Sequence, residues 1–206
     1  MQFATQSYDK SDIAATCYRH DGYPKVTPDL SFVPDFLKHL PFGVWIAEPR
    51  TGKPGKYNKA PRNPTTGMKV GVDKPYLFGK FADACTALLT GRYSGIGVVL
   101  DGSLVGIDID DYSKQPSEVK SWVAGALLDG AYCEHSPSGD GLRLFISGSL
   151  PGSGRKVNGL EIYDDARFLT VTGEMYAGSG YDLIDGQGLI DEFLDLLPAA
   201  TPPAPA

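Results

Sequence analysis

The chain has 206 residues, of which 42% are hydrophobic and 21% are charged, and its formal net charge is −6. This length suits one good-sized domain or two small ones, and the 25 glycines and 16 prolines predict many turns rather than a helical bundle. The acidic balance argues against nonspecific coating of nucleic acid, although a local basic track is compatible with it. No apolar run has the length of a membrane span, and the N-terminus lacks a signal-peptide pattern. The three cysteines have no metal-ligand spacing, so we expect reduced thiols in a cytoplasmic protein without a membrane partner.

The N-terminal part of the chain changes from an irregular pattern to an ordered one. Residues 1–26 are polar and predict an N-terminal arm, and caps and apolar positions become regular from Thr27 onward. The stretch "TPDLSFVPDFLKHL" then predicts a short helix interrupted near Pro34. The next stretch, "FGVWIAEP", predicts a buried strand that is ended by proline.

A basic window follows this strand. No acidic residue occurs between Glu48 and Asp73, whereas the same window contains six positive charges: Arg50, Lys53, Lys56, Lys59, Arg62 and Lys69. The window is dense in Gly, Pro and Asn, which predicts a long loop or an irregular hairpin. It is either a solvated flexible loop or a loop that contacts phosphates.

The rest of the chain mixes helices with strands. "KPYLFGKFADACTALLT", "QPSEVKSWVAGALLDG" and "GLIDEFLDLLP" predict helices, and Asp101-Gly102 predicts a hairpin between "SGIGVVL" and "SLVGIDID". Further predicted strands are "AYCEH", "LRLFIS", "GLEIYD" and "RFLTVTGE". This order predicts an α+β domain over residues 27–197, built around a largely antiparallel sheet. Residues 198–206 form an Ala/Pro-rich linker, which we expect to lead to further domains.

The densest cluster of acids is "GIDIDDY". Because side chains alternate along a strand, Asp108 and Asp110 share one face while Ile107 and Ile109 share the other. Two carboxylates this close repel each other unless a proton or a cation lies between them, and oxygen ligands suit Mg²⁺ or Mn²⁺. The cluster is therefore a candidate metal site, with a plain polar strand end as the alternative. Asp111 falls on the opposite face or in the following turn.

A second motif, "HSPSGDGLRLF", lies between two predicted strands. Gly139 and Gly141 allow close approach of the backbone to a ligand, and the hydroxyls of Ser136 and Ser138 can hold phosphate oxygens. Arg143, on the outgoing strand, offers a planar charged fork for a phosphate. The alternative is an ordinary Ser/Gly hairpin loop.

A third motif is "NGLEIYDDARFLTVTGE". Glu161 faces away from the apolar residues on either side of it, so it could supply a third carboxylate from a neighbouring strand. Asp164 and Asp165 compete for this role, but they fall where the strand is expected to turn. Arg167 could reach a nucleotide or could be a residue of the sheet face.

The order of these motifs along the chain is informative in itself. A Trp-containing strand, a Lys/Pro/Gly loop, a helix, "GIGVVL…VGIDIDD", "SPSGDGLR" and "LEIYDDARFLTVTG" follow one another between residues 41 and 173. In this order they closely resemble the bifunctional primase–polymerase domains of the archaeo-eukaryotic primase superfamily, of the phage and plasmid replication-protein type.

The resemblance implies a fold and a metal site. The family has an RRM-like catalytic sheet with flanking helices, joined to a smaller α/β unit. Its hydrophobic-Asp-hydrophobic-Asp motif matches residues 107–110, so the resemblance implies that Asp108 and Asp110 hold catalytic Mg²⁺ or Mn²⁺. The acidic third motif of the family matches Glu161, which would be the third ligand.

The resemblance also implies nucleotide contacts. The family motif Ser-Pro-Ser-Gly-x-Gly-Leu-His binds the incoming triphosphate and matches residues 136–142, but Arg143 stands where the family usually has histidine. Arginine can bind a phosphate, whereas it cannot readily donate a proton at neutral pH. The implied nucleotide-binding residues are Ser136, Ser138, Gly139, Gly141, Arg143 and Arg167. Lys56, Lys59 and Arg62 are implied contacts for the template or the triphosphate.

The expected activity is template-dependent nucleotidyl transfer, by a DNA primase or DNA polymerase of a phage, plasmid or other mobile-element replication protein. Its expected partners are single-stranded DNA and nucleoside triphosphates, with a helicase domain in the same polypeptide as a further candidate. Two alternatives remain open. The replacement of histidine by Arg143 is compatible with a nucleotide- or nucleic-acid-binding module without synthesis. The same carboxylates could also serve a metal-dependent nuclease, although no general base is evident.

Overall fold

The structure, a computed structural model, describes residues 9–197. The Ala/Pro-rich segment 198–206 and the first eight residues of the expected N-terminal arm lie outside the described residues. The α-helices of the described range are α1 (Lys10–Thr16), α2 (Asp35–Lys38), α3 (Phe81–Leu88), α4 (Ser117–Leu128) and α5 (Gln187–Leu196). Its β-strands are β1 (Phe42–Trp45), β2 (Glu48–Pro49), β3 (Tyr57–Asn58), β4 (Gly95–Ile109), β5 (Tyr132–His135), β6 (Leu142–Ile146), β7 (Arg155–Val157) and β8 (Leu160–Val171).

Six of these strands form one sheet. Its order is β5-β6-β4-β8-β7, and β1 pairs with β4 outside this path, while β2 and β3 form a separate two-stranded ladder. Every ladder between these strands is antiparallel. The predicted α+β class, with a largely antiparallel sheet and flanking helices, is therefore confirmed. Within residues 9–197, no helix is long and apolar enough to cross a membrane.

The predicted hairpin at Asp101-Gly102 is wrong. Strand β4 continues without a turn over Gly95–Ile109, and both of its halves pair with β8. Strand β8 is likewise one strand where the sequence predicted two. The register between β4 and β8 shifts on either side of Asp101, and Gly102 has a φ of +90°, which a bulged strand accommodates. An Asp-Gly pair closes a hairpin only where the flanking runs pair with each other, and here both runs pair with β8.

Helix α4 shows how sequence spacing produces the packing of this fold. Its buried residues are Val119, Trp122, Val123 and Ala126, which recur at helical intervals and form one apolar face. Trp122 packs on Phe193 of α5 with ring centroids 4.7 Å apart. The two helices thereby cover one face of the sheet together.

Among the described residues, two large apolar cores lie against the sheet, beside a smaller cluster of Tyr23, Trp45 and Ala47. The first combines residues of α1, α2 and α3 with β1 and the first half of β4, and its member Ile13 places α1 firmly on this core. The second combines α4 and α5 with the second half of β4 and with β5 and β6. Ile107 and Ile109 belong to the second core, so the alternation predicted for "GIDIDDY" directs the isoleucines inward and Asp108 to the other face.

Candidate active site

Five charged residues lie side by side across the sheet, one on each of five neighbouring strands. Asp108 of β4 is directly opposite Arg143 on β6 and Glu161 on β8. Glu134 of β5 is opposite Arg143, and Lys156 of β7 is opposite Glu161. Because directly opposite residues of antiparallel strands point to the same face, these side chains share one face of the sheet. We call this set the charged row.

Three carboxylates meet at one end of this face. Ligand oxygens of Asp108, Asp110 and Glu161 all lie within 4.8 Å of one another. Asp108 and Glu161 are 8% and 2% exposed, whereas Asp110, which follows the last residue of β4, is exposed at the surface. The pKa of Asp110 is raised, first because protein atoms displace part of the water around its carboxyl and second because the Asp108 carboxylate lies beside it.

The donor set fits a hard divalent cation. All three side chains offer carboxylate oxygens, which are the ligands that Mg²⁺ and Mn²⁺ prefer. Oδ1 of Asp108 lies 3.0 Å from Nη2 of Arg143 but accepts no well-aligned hydrogen bond within the described chain. A buried carboxylate oxygen with this unused capacity, next to two further acids, is suited to a cation.

Arg143 is held within the charged row by protein groups. Its side chain is 3% exposed and forms an ion pair with Asp108, and Nη1 donates to the Thr170 carbonyl at 3.0 Å and to the Thr170 hydroxyl. The guanidinium still lines the cleft described below. Arg143 therefore lies between Asp108 and Glu134 in the charged row, where its ion pair orients the Asp108 carboxylate.

Glu134, at the far end of the charged row, has a role in joining strands. It is fully buried and accepts hydrogen bonds from the Tyr132 hydroxyl at 2.8 Å and from the amides of Thr172 and Gly173 at 3.0 and 2.8 Å. Burial raises the pKa of Glu134 above its ordinary value. These contacts fix the end of β8 against β5.

Both oxygens of Glu161 are bound by cations. Lys156 donates to Oε1 and Arg167 donates to Oε2. The guanidinium of Arg167 also lies over the Tyr163 ring, 4.5 Å from its centroid. Glu161 is thus a buried carboxylate whose charge is balanced by two side chains that are themselves partly exposed.

Asp108, Asp110 and Glu161, which we call the triad, line a cleft of about 630 Å³. Within the part of the chain that the structure describes, seven Lys and Arg side chains and five Asp and Glu side chains line it. The cations are Arg50, Lys56, Lys59, Lys69, Arg143, Lys156 and Arg167. A chain with a net charge of −6 therefore carries a positive balance in this one cleft, which favours anionic ligands.

Lys59 and an aromatic pair form one wall of the cleft. Nζ of Lys59 donates to the Tyr23 hydroxyl at 3.3 Å, and the Tyr23 ring stacks on Tyr57 with centroids 4.3 Å apart. Enclosure of the ammonium by the cleft, with Arg143 as the next cause, lowers the pKa of Lys59 to about 8. Burial raises the pKa of Tyr23 to about 12, so its hydroxyl keeps its proton at neutral pH.

In the Ser/Gly loop, residues 136–141, most backbone amides donate to acceptors within the loop itself. The amides of Ser136, Gly139 and Gly141 donate to the Gly141 carbonyl, the Ser136 carbonyl and the Ser138 hydroxyl at 2.7, 2.9 and 3.3 Å. The hydroxyls of Ser136 and Ser138 bind each other at 2.9 Å, and both serines line the cleft. A Cβ on Gly141 would lie 2.6 Å from the Ser136 hydroxyl, so the compact loop requires glycine there. The structure thus offers the two hydroxyls, rather than these amides, to the cleft.

The predicted basic contacts divide into two groups. Lys56 and Lys59 line the cleft, and Lys56 lies 3.9 Å from Asp111. Arg62 does not line it, because its guanidinium donates to Glu48 at 2.8 Å and to the Gly67 carbonyl at 3.1 Å. The structure therefore brings two of the three predicted contacts to the cleft that the carboxylates line.

The other acids near the motifs lie outside the triad. Asp164 accepts a hydrogen bond from the Leu150 amide at 3.0 Å, and Asp165 accepts one from the Ala166 amide at 2.7 Å. Asp111 adopts a left-handed conformation with a φ of 47° at the start of the next turn. Glu161 is the acid of the third motif that joins Asp108 and Asp110.

Sequence reasoning missed several residues of the cleft. Lys156 lies on the three-residue strand β7, which no pattern predicted, and its position opposite Glu161 follows from strand pairing alone. Tyr23 belongs to the expected polar arm, yet it is buried beside Lys59. An aromatic residue in an otherwise polar segment was the one available signal for Tyr23, and Lys156 had none.

No profile of a known protein family matches the chain. Over an alignment of 130 residues, which covers 58% of this chain, it is 35% identical to the DNA primase-polymerase of Nitratiruptor phage NrS-1. The chain spans 18% of the length of that relative. The resemblance expected from the order of the motifs is therefore confirmed, and the chain is related in sequence to a phage DNA primase-polymerase over the aligned part of its length.

Proposed function

We propose that this chain is a catalytic domain that transfers nucleotides from nucleoside triphosphates to a growing strand on a DNA template, as a primase, a polymerase or both. The observation that carries the proposal is the convergence of Asp108, Asp110 and Glu161 within 4.8 Å at a cleft with a positive balance of charge. The relationship to a phage DNA primase-polymerase supports it and favours a replication protein of a phage or another mobile element.

Asp108, Asp110 and Glu161 would hold Mg²⁺ or Mn²⁺. Divalent cations bound there would supply the activation of a primer hydroxyl and the neutralisation of charge on leaving pyrophosphate. The protein's own contribution is position: the opposed strands β4 and β8 fix Asp108 and Glu161, and Arg143 holds Asp108 by an ion pair. Phosphoryl transfer depends chiefly on such positioning and on charge neutralisation.

The triphosphate would lie between the Ser/Gly loop and the cationic walls. The hydroxyls of Ser136 and Ser138 and the charges of Lys59 and Arg167 all line the cleft and would bind phosphate oxygens. Gly139 and Gly141 serve this loop through their backbone geometry. Arg143 would attract the triphosphate through its positive charge without a direct contact, since its guanidinium is already bound to Asp108 and Thr170.

The template would follow the basic window along the edge of the cleft. Lys56 is exposed at this edge and would contact backbone phosphates of single-stranded DNA. Arg62 would act indirectly, because its pairing with Glu48 fixes the base of the window against β2.

The test is synthesis on defined templates with Mn²⁺. Wild-type chain is incubated with a primed template, and separately with an unprimed template, in the presence of all nucleotides. We expect labelled products from the wild type and none from a variant that combines Asp108→Ala with Asp110→Ala. Equal product from both proteins would sink the assignment.

Two further arms separate the alternatives. Labelled DNA incubated with metal and without nucleotides reveals a nuclease, which would shorten the DNA. Calorimetric binding of nucleotide and metal, without product on any template, would identify a binding module instead. Either result would replace the proposed synthesis.

A further inference from the structure

Lys156 binds a carboxylate that a metal ion at the candidate site would also bind. Its ammonium donates to Oε1 of Glu161, which is also a candidate metal ligand. Glu161 is 2% exposed, and a buried carboxylate requires a neighbouring positive charge. Lys156 and Arg167 supply that charge when no metal does.

A divalent cation at the triad changes this balance. A cation bound to Glu161 would neutralise its carboxylate and would repel the ammonium of Lys156 across a few ångströms. Lys156 and the cation therefore compete for the same oxygen. Each therefore weakens the binding of the other at Glu161.

The side chain of Lys156 can move away from Glu161 more easily than that of Arg167. Its side chain is 55% exposed on the edge strand β7, and within the described range the ammonium donates a hydrogen bond to Glu161 alone. Arg167 is 37% exposed and is also held over the Tyr163 ring. A lysine on a flexible four-carbon stem can swing between two anions at low cost.

The cleft offers Lys156 a second partner. Lys156 lines the same cleft as Lys59 and the serines of the Ser/Gly loop, where the proposed triphosphate lies. We propose that Lys156 is an exchanged charge: it neutralises Glu161 while the metal site is empty and binds a triphosphate oxygen once a divalent cation takes Glu161. This inference rests on the proposed function and assigns to it a residue that no sequence motif contains.

The exchange predicts effects of opposite sign on two affinities. In Lys156→Gln, Mn²⁺ alone should bind about fivefold more tightly, because its competitor at Glu161 is gone. The same variant should bind a triphosphate about fivefold more weakly at saturating Mn²⁺, because one phosphate contact is lost. A residue with a purely structural role would weaken both, and a simple phosphate ligand would leave the affinity for Mn²⁺ alone unchanged.

The experiment uses the whole chain and two separate titrations. Mn²⁺ binding without nucleotide is followed by loss of the electron paramagnetic resonance signal of free Mn²⁺. Binding of a deoxynucleoside triphosphate with an α,β-methylene bridge is then measured by calorimetry at saturating Mn²⁺. Lys156→Arg keeps the charge and should restore both affinities. Lys120→Gln removes one positive charge from the exposed face of α4 and should change neither.

The outcomes separate the exchange from the proposed function. Tighter Mn²⁺ with weaker triphosphate in Lys156→Gln supports the exchange. Shifts of both affinities in one direction, or an unchanged affinity for Mn²⁺, would overturn it while wild-type binding still supported the function. A wild-type chain that bound neither Mn²⁺ nor the analogue would overturn both proposals.

Discussion

At the scale of single residues, Lys59 is a cleft cation with a lowered pKa. Its ammonium lies in the cleft beside the Tyr23 hydroxyl, and enclosure together with Arg143 lowers the pKa to about 8. The charge of Lys59 is therefore present at neutral pH and is lost as the pH rises through about 8. A phosphate contact made by this residue inherits that dependence.

We expect the affinity for the α,β-methylene triphosphate analogue, measured with Mg²⁺, to fall as the pH rises from 7 through about 8 to 9.5. The physical reason is loss of the Lys59 proton, which removes a positive charge from the cleft. Lys59→Arg keeps its charge throughout this range and should give a flat profile. Calorimetric titrations at several pH values measure both proteins, and identical profiles for the two would contradict this role of Lys59.

At the scale of strands, the charged row depends on register. One residue of slippage between β4 and β8 would turn Asp108 toward the second core and Ile107 toward the cleft. Burial of Ile107 and Ile109 on the other face of the sheet therefore fixes the register on which the site depends. Arg143 is the cation of the row that lies between two acids, Asp108 and Glu134.

Removal of the Arg143 charge should lower the stability of the fold. In Arg143→Met we expect the free energy of unfolding to fall by about 3 kcal/mol, since Asp108 and Glu134 would lose their shared buried cation. In an Asp108→Asn background the same change should cost clearly less, because one of the two acids is already neutral. Urea denaturation in the presence of a chelator measures the cycle. An equal loss in both backgrounds would show that Arg143 and Asp108 do not interact.

Sequence patterns at this scale were reliable where a single strand or helix determines the outcome. The alternation of Asp108 with Ile107 and Ile109 and the existence of helix α4 depend on local periodicity, and both were predicted correctly. The hairpin at Asp101-Gly102 was predicted wrongly, since the partner of a strand depends on distant residues such as those of β8. Lys156 escaped prediction for the same reason.

At the scale of the whole molecule, the cleft unites segments that are far apart in sequence. Tyr23 comes from the segment after α1, Lys59 follows β3, and Arg143 and Glu161 come from the sheet. The order of motifs predicted which carboxylates would meet, because it carries information from a related family. It left the aromatic pair Tyr23 and Tyr57 in the cleft wall undetermined, since packing of the N-terminal segment against β3 has no local sequence pattern.

The central claim is that Asp108, Asp110 and Glu161 form a metal site for nucleotide transfer, and two neighbouring acids test it most directly. Asp110 belongs to the triad, whereas Asp111 lies outside it at the start of the next turn. Each is changed to asparagine, and incorporation of a labelled nucleotide on a primed template with Mn²⁺ is measured for both variants and the wild type. We predict that Asp110→Asn loses at least about a hundredfold in rate, because several kcal/mol of transition-state stabilisation depend on the cations, and that Asp111→Asn stays within about threefold of the wild type. Full activity in Asp110→Asn, or equal losses in the two variants, would contradict the account.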